Sequence, residues 1–542
     1  MFGTMQAWPL TVDRILDYAG RRHGGREVVT RSVEGPIVRT TYAEILSRAR
    51  QTSNALLELG VQPGDRVATM AWNSARHMEV WYGIMGIGAV CHTLNPRLLP
   101  EQICWIIRNA EDRVIFVDAS FAPMLLANID KAPCVETIVV LTDAAHWPTG
   151  ADSRVVTYEE LIAPQPDACA WGGFSEETAC GLCYTSGTTG DPKGVLYSHR
   201  SNYLHTLMCL QPDIMGLSAR DTVLPVVPMY HANAWGVAFA APAVGAKLVM
   251  PGPKLDGASV HQLLEEEGVT LSCAVPTVWQ GLLQHLDQTH ATLTTLRKVL
   301  IGGAACPESI IRGFKERYDV EVLHMWGMTE TSPVATVGAP CATVSARSYD
   351  EQMPVRLKQG RSQLGCEIRI VDDDGKPLPE DGQAFGRLMV RGPTVAGGYF
   401  KGVGGNVLDA DGWFDTGDVA TIDAAGYMHI TDRAKDVIKS GGEWISSVAI
   451  ETIAASHPKA ALAAVIGVPH PKWDERPLLL VKLREGQSAT QAEFLACLEG
   501  RIAKWWTPDE VLFVDDIPLG ATGKIDKKVI RARYAGHKLP TA

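Results

Sequence analysis

Between about residue 45 and residue 324 the chain alternates stretches of helical period with short apolar runs, and few folds accept such a rhythm. Residues 45–59, 78–87 and 101–109 carry helical periodicity. Residues 66–70, 89–94 and 113–117 read as the strands between them. The pattern resumes with strands at 247–250, 271–275, 298–301 and 320–324, and helices at 257–267 and 308–318. Alternation of this kind predicts a layered α/β fold whose sheets are mostly parallel, because each helix returns the chain to the start of the next strand. From residue 367 to 390 the character changes to short strands with Asp374-Gly375 and Asp381-Gly382 turns, which predicts a small antiparallel β unit. A strand at 427–430 runs into a charged turn at 431–436. Beyond it, a helix at 448–455, strands at 460–467 and 477–483 and a helix at 489–504 form a compact α+β segment. The expected organisation is a large body over residues 1–431 and a small C-terminal cap over 432–542.

Composition excludes several classes of function. The 542 residues carry a formal net charge of −11 with no basic block to follow a nucleic-acid backbone. The first residues lack a charged segment followed by an apolar run, so secretion is not expected. The most apolar stretch, 235–250, is broken by Pro242, Gly245 and Lys247 and is too short to span a bilayer. Twelve cysteines are scattered without framework spacing. The Cys180/Cys183 pair lies on an apolar strand with no second pair to complete a zinc site, so buried thiols in a reducing cytoplasm are expected.

Chemistry concentrates in five segments. Tyr184-Thr185-Ser186-Gly187-Thr188-Thr189-Gly190-Asp191-Pro192-Lys193-Gly194 joins two apolar runs and combines glycines, hydroxyls and one lysine. Glycines let backbone N–H groups approach a ligand, hydroxyls donate further bonds, and the lysine adds charge, a set suited to phosphate oxygens. Pro192 and Gly194 around the lysine rule out a Walker A loop. Taken alone, the segment leaves a flexible surface loop open as the lesser alternative. Ile301-Gly302-Gly303-Ala304-Ala305 follows a strand and offers a flat backbone against which a ring can lie. His324-Met325-Trp326-Gly327-Met328-Thr329-Glu330 brings an aromatic, a hydroxyl and a carboxylate to a neighbouring strand end; Glu330 could hold Mg²⁺ beside phosphates or simply favour a helix start. In Trp413-Phe414-Asp415-Thr416-Gly417-Asp418, Asp418 could accept from ribose hydroxyls or be a turn former. Gly520-Ala521-Thr522-Gly523-Lys524 presents a lysine in a glycine-bracketed loop.

Taken together and in this order, the loop at 185–194, the 325–330 and 412–418 segments, Asp432-Arg433-Ala434-Lys435-Asp436 and the Gly523-Lys524 loop resemble the motifs of adenylate-forming enzymes: acyl-CoA synthetases, peptide-synthetase adenylation domains and luciferases. The resemblance covers essentially the whole chain. It implies that a carboxylate reacts with ATP to give an acyl-adenylate and pyrophosphate, after which a thiol displaces AMP. It assigns Thr185, Ser186, Gly187, Thr188, Thr189, Gly190 and Lys193 to the β- and γ-phosphates. Thr329 falls to the α-phosphate, and Glu330, with Thr185, to Mg²⁺. Gly303, Ala304, Ala305, His324, Met325, Trp326 and Gly327 would frame the adenine, and Asp418 and Arg433 the ribose. Lys524 would touch both the carboxylate and the α-phosphate. Asp432 would be the hinge about which the cap turns, bringing Ser440, Gly441 and Gly442 to line the tunnel for coenzyme A. A dimer is common among such enzymes.

Two departures stand out: Arg387, where the family commonly has Glu, and Trp444-Ile445-Ser446-Ser447, in place of the usual Asn-Ile/Val-Tyr-Pro. The latter, with 92–98 and 228–236, resembles the branch acting on medium-chain fatty acids and on 3-methylmercaptopropionate. His231, Trp235 and Gly302 would then line the acyl site. No Asp or Glu lies between Pro228 and Gly236 to pair a substrate amine, which disfavours amino acids. A Trp face suits a thioether, by a contact worth roughly 0.3–1.5 kcal/mol. Two other readings stay open: loading of a carrier-protein thiol, and a nucleotide-binding regulator without turnover.

Overall fold

The computed structural model describes residues 1, 3–147, 152–185, 191–433, 435–440, 443–520 and 525–542. The expected α/β layering is present. Seven strands form one sheet in the order Val155–Thr157, Thr137–Val140, Val114–Val117, Arg66–Met70, Val90–Thr93, Ala179–Thr185 and Lys193–Ser198. All its neighbours are parallel except the last two, which form the antiparallel arms of the glycine-rich loop, with Thr185 opposite Lys193. A second sheet of nine strands is parallel from Glu27–Arg31 through Lys247–Met250, Thr222–Pro225, Leu271–Ala274 and Lys298–Ile301 to Glu321–Gly327, and antiparallel at both edges. The central strands are buried on both faces, which is why they read as unbroken apolar runs.

The third sheet is antiparallel: Glu367–Val371, Phe385–Arg391, Phe414–Ile422 and Met428–Arg433. Two expectations are corrected here. Asp418 does not sit in a tight turn but within the nine-residue strand Phe414–Ile422, where Gly417 (φ 69°) and a register shift at Val419/Ala420 produce a local irregularity. The charged segment from residue 431 does not begin as a turn either. The strand continues to Arg433, which pairs opposite Asp418. In the last sheet, Asp474–Leu483 lies between Ala460–His470 and Glu510–Phe513 and also touches Ile438–Ser440. The helix expected at 489–504 spans only Gln491–Leu498, because Glu499 is extended and Gly500 takes φ 73°. Among the described residues no helix is long and apolar enough to cross a membrane.

Asn73 ties the two large sheets together. It follows the strand Arg66–Met70, is buried, and donates through Nδ2 to the carbonyls of Pro225 and Val227 (both 2.8 Å). Its Oδ1 accepts from the Met229 N–H at 2.6 Å, which fixes the chain leading into residues 228–236. Asn73→Ala strands all three backbone groups. Since a buried unsatisfied group costs about 1–3 kcal/mol, we predict a loss on the order of 2–4 kcal/mol, measured as a lowered denaturant midpoint.

Candidate active site

The carboxyl end of Glu321–Gly327 is where the predicted residues meet. His324 is fully enclosed, its ring nitrogens facing the carbonyls of Leu357 (3.0 Å) and Ala304 (3.3 Å). Burial pushes its pKa down to about 4, so the ring is neutral and its single N–H can donate to only one of the two carbonyls. Two residues on, the Trp326 indole N–H donates to Asp418 Oδ2 at 2.9 Å. The other Asp418 oxygen pairs with Arg433 Nε at 2.7 Å. Trp326, Asp418 and Arg433, distant in sequence, are thereby one connected group spanning two sheets. Gly327 is required by crowding, since a Cβ there would lie 1.9 Å from the Pro333 carbonyl oxygen.

The chain then enters a short 3-10 turn, Thr329–Thr331, whose side chains are buried. Tyr197, on the second arm of the glycine-rich loop, donates to the Thr329 carbonyl at 2.7 Å. Tyr399 donates to Glu330 Oε1 at 2.8 Å, and the Ala396 N–H bonds the Glu330 carbonyl at 2.8 Å. Burial raises the Glu330 pKa, an effect opposed by the Tyr399 bond. The Lys193 ammonium lies 4.9 Å from the centroid of the same Tyr399 ring. Tyr399 therefore links the acid and the loop lysine, and sequence reasoning missed it. Its only signal was an aromatic after the paired glycines Gly397-Gly398.

The oxygen donors fit a hard cation. Thr185 and Glu330 are of the kind Mg²⁺ accepts. Among the described residues no cluster of three or more His, Cys, Asp or Glu could hold a metal ion, so phosphate oxygens would have to supply the rest of its coordination.

The segment expected to line the acyl site has an unusual backbone. Ala232, Asn233, Ala234, Trp235 and Gly236 have φ of 45°, 54°, 49°, 56° and 82°, a left-handed turn in which four residues carry a Cβ. Such a conformation costs roughly 1–2 kcal/mol per non-glycine residue, so it persists only where neighbours impose it. Cys183 supplies one restraint. Its thiol lies 3.6 Å from Asn233 Oδ1 and 3.0 Å from Thr93 Oγ1, while Cys180 accepts from Asn202 Nδ2 at 3.2 Å. The Cys180/Cys183 pair is thus structural, as expected. Trp235 is turned toward Gly302, where a Cβ would sit 3.3 Å from Cη2 of the indole, so the absence of a side chain at Gly302 admits the ring. His231, at the head of this turn, is half-buried.

Other predicted residues lie apart from this cluster or beyond view. Asp432 is buried, and its carboxylate accepts from the Ser447 N–H (2.5 Å) and hydroxyl (2.6 Å). Ser440 belongs to the C-terminal sheet, 3.4 Å from Arg476 Nη1. Arg387, the departure noted above, donates to Asp415 Oδ2 at 2.8 Å and is accommodated in the antiparallel sheet. Ser186, Gly187, Thr188, Thr189, Gly190, Gly441, Gly442 and Lys524 lie outside the described residues.

Comparison with known proteins agrees with this geometry. Residues 16–400 match the AMP-binding enzyme family, and residues 449–524 match the AMP-binding enzyme C-terminal domain. The chain belongs to the AMP-binding enzyme family of adenylate-forming proteins. It is similar to a 3-methylmercaptopropionyl-CoA ligase of Ruegeria lacuscaerulensis, 49% identical over 98% of this chain and 99% of that one. A medium-chain-fatty-acid–CoA ligase of Ectopseudomonas oleovorans is 47% identical over 98% of each. Among solved structures, an anthranilate CoA ligase in complex with anthranoyl-AMP superimposes with a TM-score of 0.87 at 26% identity, covering 98% of this chain and 99% of that one.

Tyr399→Phe keeps the ring and removes the bond to Glu330. A hydrogen bond to a charged group is worth about 1.5–3 kcal/mol, so roughly tenfold weaker ATP binding is predicted with Mg²⁺ present. Binding without the metal should hardly change, and isothermal titration calorimetry under the two conditions checks this.

Proposed function

We propose that this chain is an AMP-forming acid–CoA ligase that activates a short- to medium-chain carboxylate, with 3-methylmercaptopropionate as the particular acid. ATP, Mg²⁺ and coenzyme A complete the reaction. The observation that carries the reading is the convergence of Glu330, Asp418 and Arg433 on one strand end, beside a wall formed by Trp235 and Gly302. Similarity to the ligases of Ruegeria and Ectopseudomonas supports the choice of acid.

The attack of a carboxylate on a polyanion is slow because like charges approach, so the protein acts by positioning and by charge neutralisation. Asp418, oriented by Trp326 and Arg433, accepts from the ribose hydroxyls. Thr185, Lys193 and the loop between them hold the phosphates, and Thr329 faces the α-phosphate. Mg²⁺ held by Glu330 would withdraw charge from the departing pyrophosphate. Lys524 bridges the incoming carboxylate and the α-phosphate. The large unit, residues 1–431, and the cap, 432–542, then change their relative orientation about Asp432. Ser440, Gly441 and Gly442 come to line the thiol's path, so one pocket serves both half-reactions in turn. Free thiols at all twelve cysteines accord with a cytoplasmic location, and a homodimer is part of the same reading.

The deciding experiment is kcat/KM for a panel of carboxylates with ATP, Mg²⁺ and coenzyme A. The thioether acid and aliphatic acids of similar length are predicted to lead. Turnover with a carrier protein but not with free coenzyme A would overturn the ligase assignment. Trp235→Ala should shift preference toward acids several methylenes longer, by about tenfold in relative kcat/KM. Lys524→Ala is predicted to abolish acid-dependent ATP–pyrophosphate exchange yet still convert supplied acyl-adenylate to thioester; equal loss in both assays would remove its assigned role.

A further inference from the structure

A buried chain of hydrogen bonds begins at Lys527 and ends at Asp432. Both Lys527 and the hinge carboxylate are almost wholly enclosed. The Lys527 ammonium donates to Ser447 Oγ at 2.5 Å and pairs with Glu451 Oε1 at 2.9 Å. Ser447 in turn donates its hydroxyl to Asp432 Oδ2 at 2.6 Å, and its N–H donates to the same oxygen at 2.5 Å. The remaining Asp432 oxygen accepts from the Arg433 N–H at 2.7 Å. Glu451 is held by the Val465 N–H at 2.7 Å. Burial works against the charge on Lys527, but the Glu451 and Asp432 carboxylates outweigh it and hold its pKa above the usual lysine value.

Lys527 is the first residue of the helix Lys527–Arg533, capped by Asp526, which accepts from the Val529 N–H at 3.2 Å. Immediately before it, Leu519 bridges Ile525, and the Asp526 N–H bonds the Pro518 carbonyl at 2.8 Å. The base of the 519–525 loop is therefore fixed to the same point as the relay. A second ion pair, Arg531 to Asp436 at 2.7 Å, ties the helix to the chain just after the hinge.

We propose that Lys527, acting through Ser447, is a positioning residue for the adenylation half-reaction. Its ammonium holds the Asp432 carboxylate against the start of the helix Ser447–Ala455. This sets the orientation in which Arg433 meets Asp418 and in which the base of the 519–525 loop is fixed relative to the hinge. The assignment rests on the two-half-reaction reading above. It differs from that reading in its residues, since Lys527 and Ser447 are buried and bond to Asp432, Glu451 and each other.

Two disruptive variants and one restoring variant test it. Ser447→Ala cuts the relay while leaving the Lys527–Glu451 pair intact, so it does not alter the buried charges. Lys527→Met removes the charge, and Lys527→Arg restores it. The proposal expects Ser447→Ala and Lys527→Met to slow acid-dependent ATP–pyrophosphate exchange by about tenfold or more, with less than about threefold change in thioester formation from supplied acyl-adenylate, and Lys527→Arg to recover most of the loss. It also expects faster hydrogen–deuterium exchange in peptides spanning 428–440 and 445–455, with the strand Asp474–Leu483 still protected. Equal slowing of both half-reactions, or unchanged exchange at 428–440 and 445–455 in both disruptive variants, overturns it. The parent reading fails separately, if Lys524→Ala does not distinguish the two half-reactions. The exchange measurement judges the relay in either case.

Discussion

The hydrogen bond from the Trp326 indole to Asp418 is the contact on which the site depends. It joins the last parallel strand of the nine-stranded sheet to a strand of the antiparallel sheet, and through Asp418 it reaches Arg433. A buried carboxylate is costly unless each oxygen has a partner, and Asp418 has a neutral donor on one and a guanidinium on the other. The exposed flank of this arrangement is Arg433, whose side chain is 43% accessible against 3% for Asp418. The acid is fixed and the arginine can respond to ligand. Sheets that would otherwise drift relative to one another are thus pinned where Trp326 meets Asp418.

Around that bond the structure repeats one device: a polar group from a distant segment fixes a polar group of the site. Tyr197 holds the Thr329 carbonyl, Tyr399 and Ala396 hold Glu330, His324 faces Ala304, and Cys183 meets the left-handed turn at Asn233. Each such contact is modest in energy. Together they remove the freedom that catalytic groups would otherwise lose at the moment of reaction.

Much of this was legible in the chain. Strands such as 66–70, 247–250 and 298–301 announce themselves because both faces are buried, leaving short apolar runs bounded by polar turns. Thr329, Glu330, Asp418 and Arg433 stood in motifs whose order carried their meaning. Asp418 looked like a turn residue because Gly417 precedes it, and only the pairing with Arg433 reveals a strand. The helix after residue 489 looked longer because nothing in its period marks the extended Glu499. Tyr399, Lys527 and the contact of Cys183 with Asn233 escaped notice for a different reason. Their partners lie 50 to 80 residues away, and a single sequence contains no record of such contacts.

Asp432 and Arg433 are neighbours with opposite allegiances: one carboxylate is bound to Ser447, the other residue's guanidinium to Asp418. This has a consequence for recombination. A chimera joined after Asp432 takes this acid from one parent and Ser447, Glu451 and Lys527 from the other, and a parent lacking the serine or the lysine leaves a buried carboxylate without its donors. Exchange of the C-terminal segment therefore works as a unit only when the seam falls before residue 432, so that the acid travels with the partners that neutralise it.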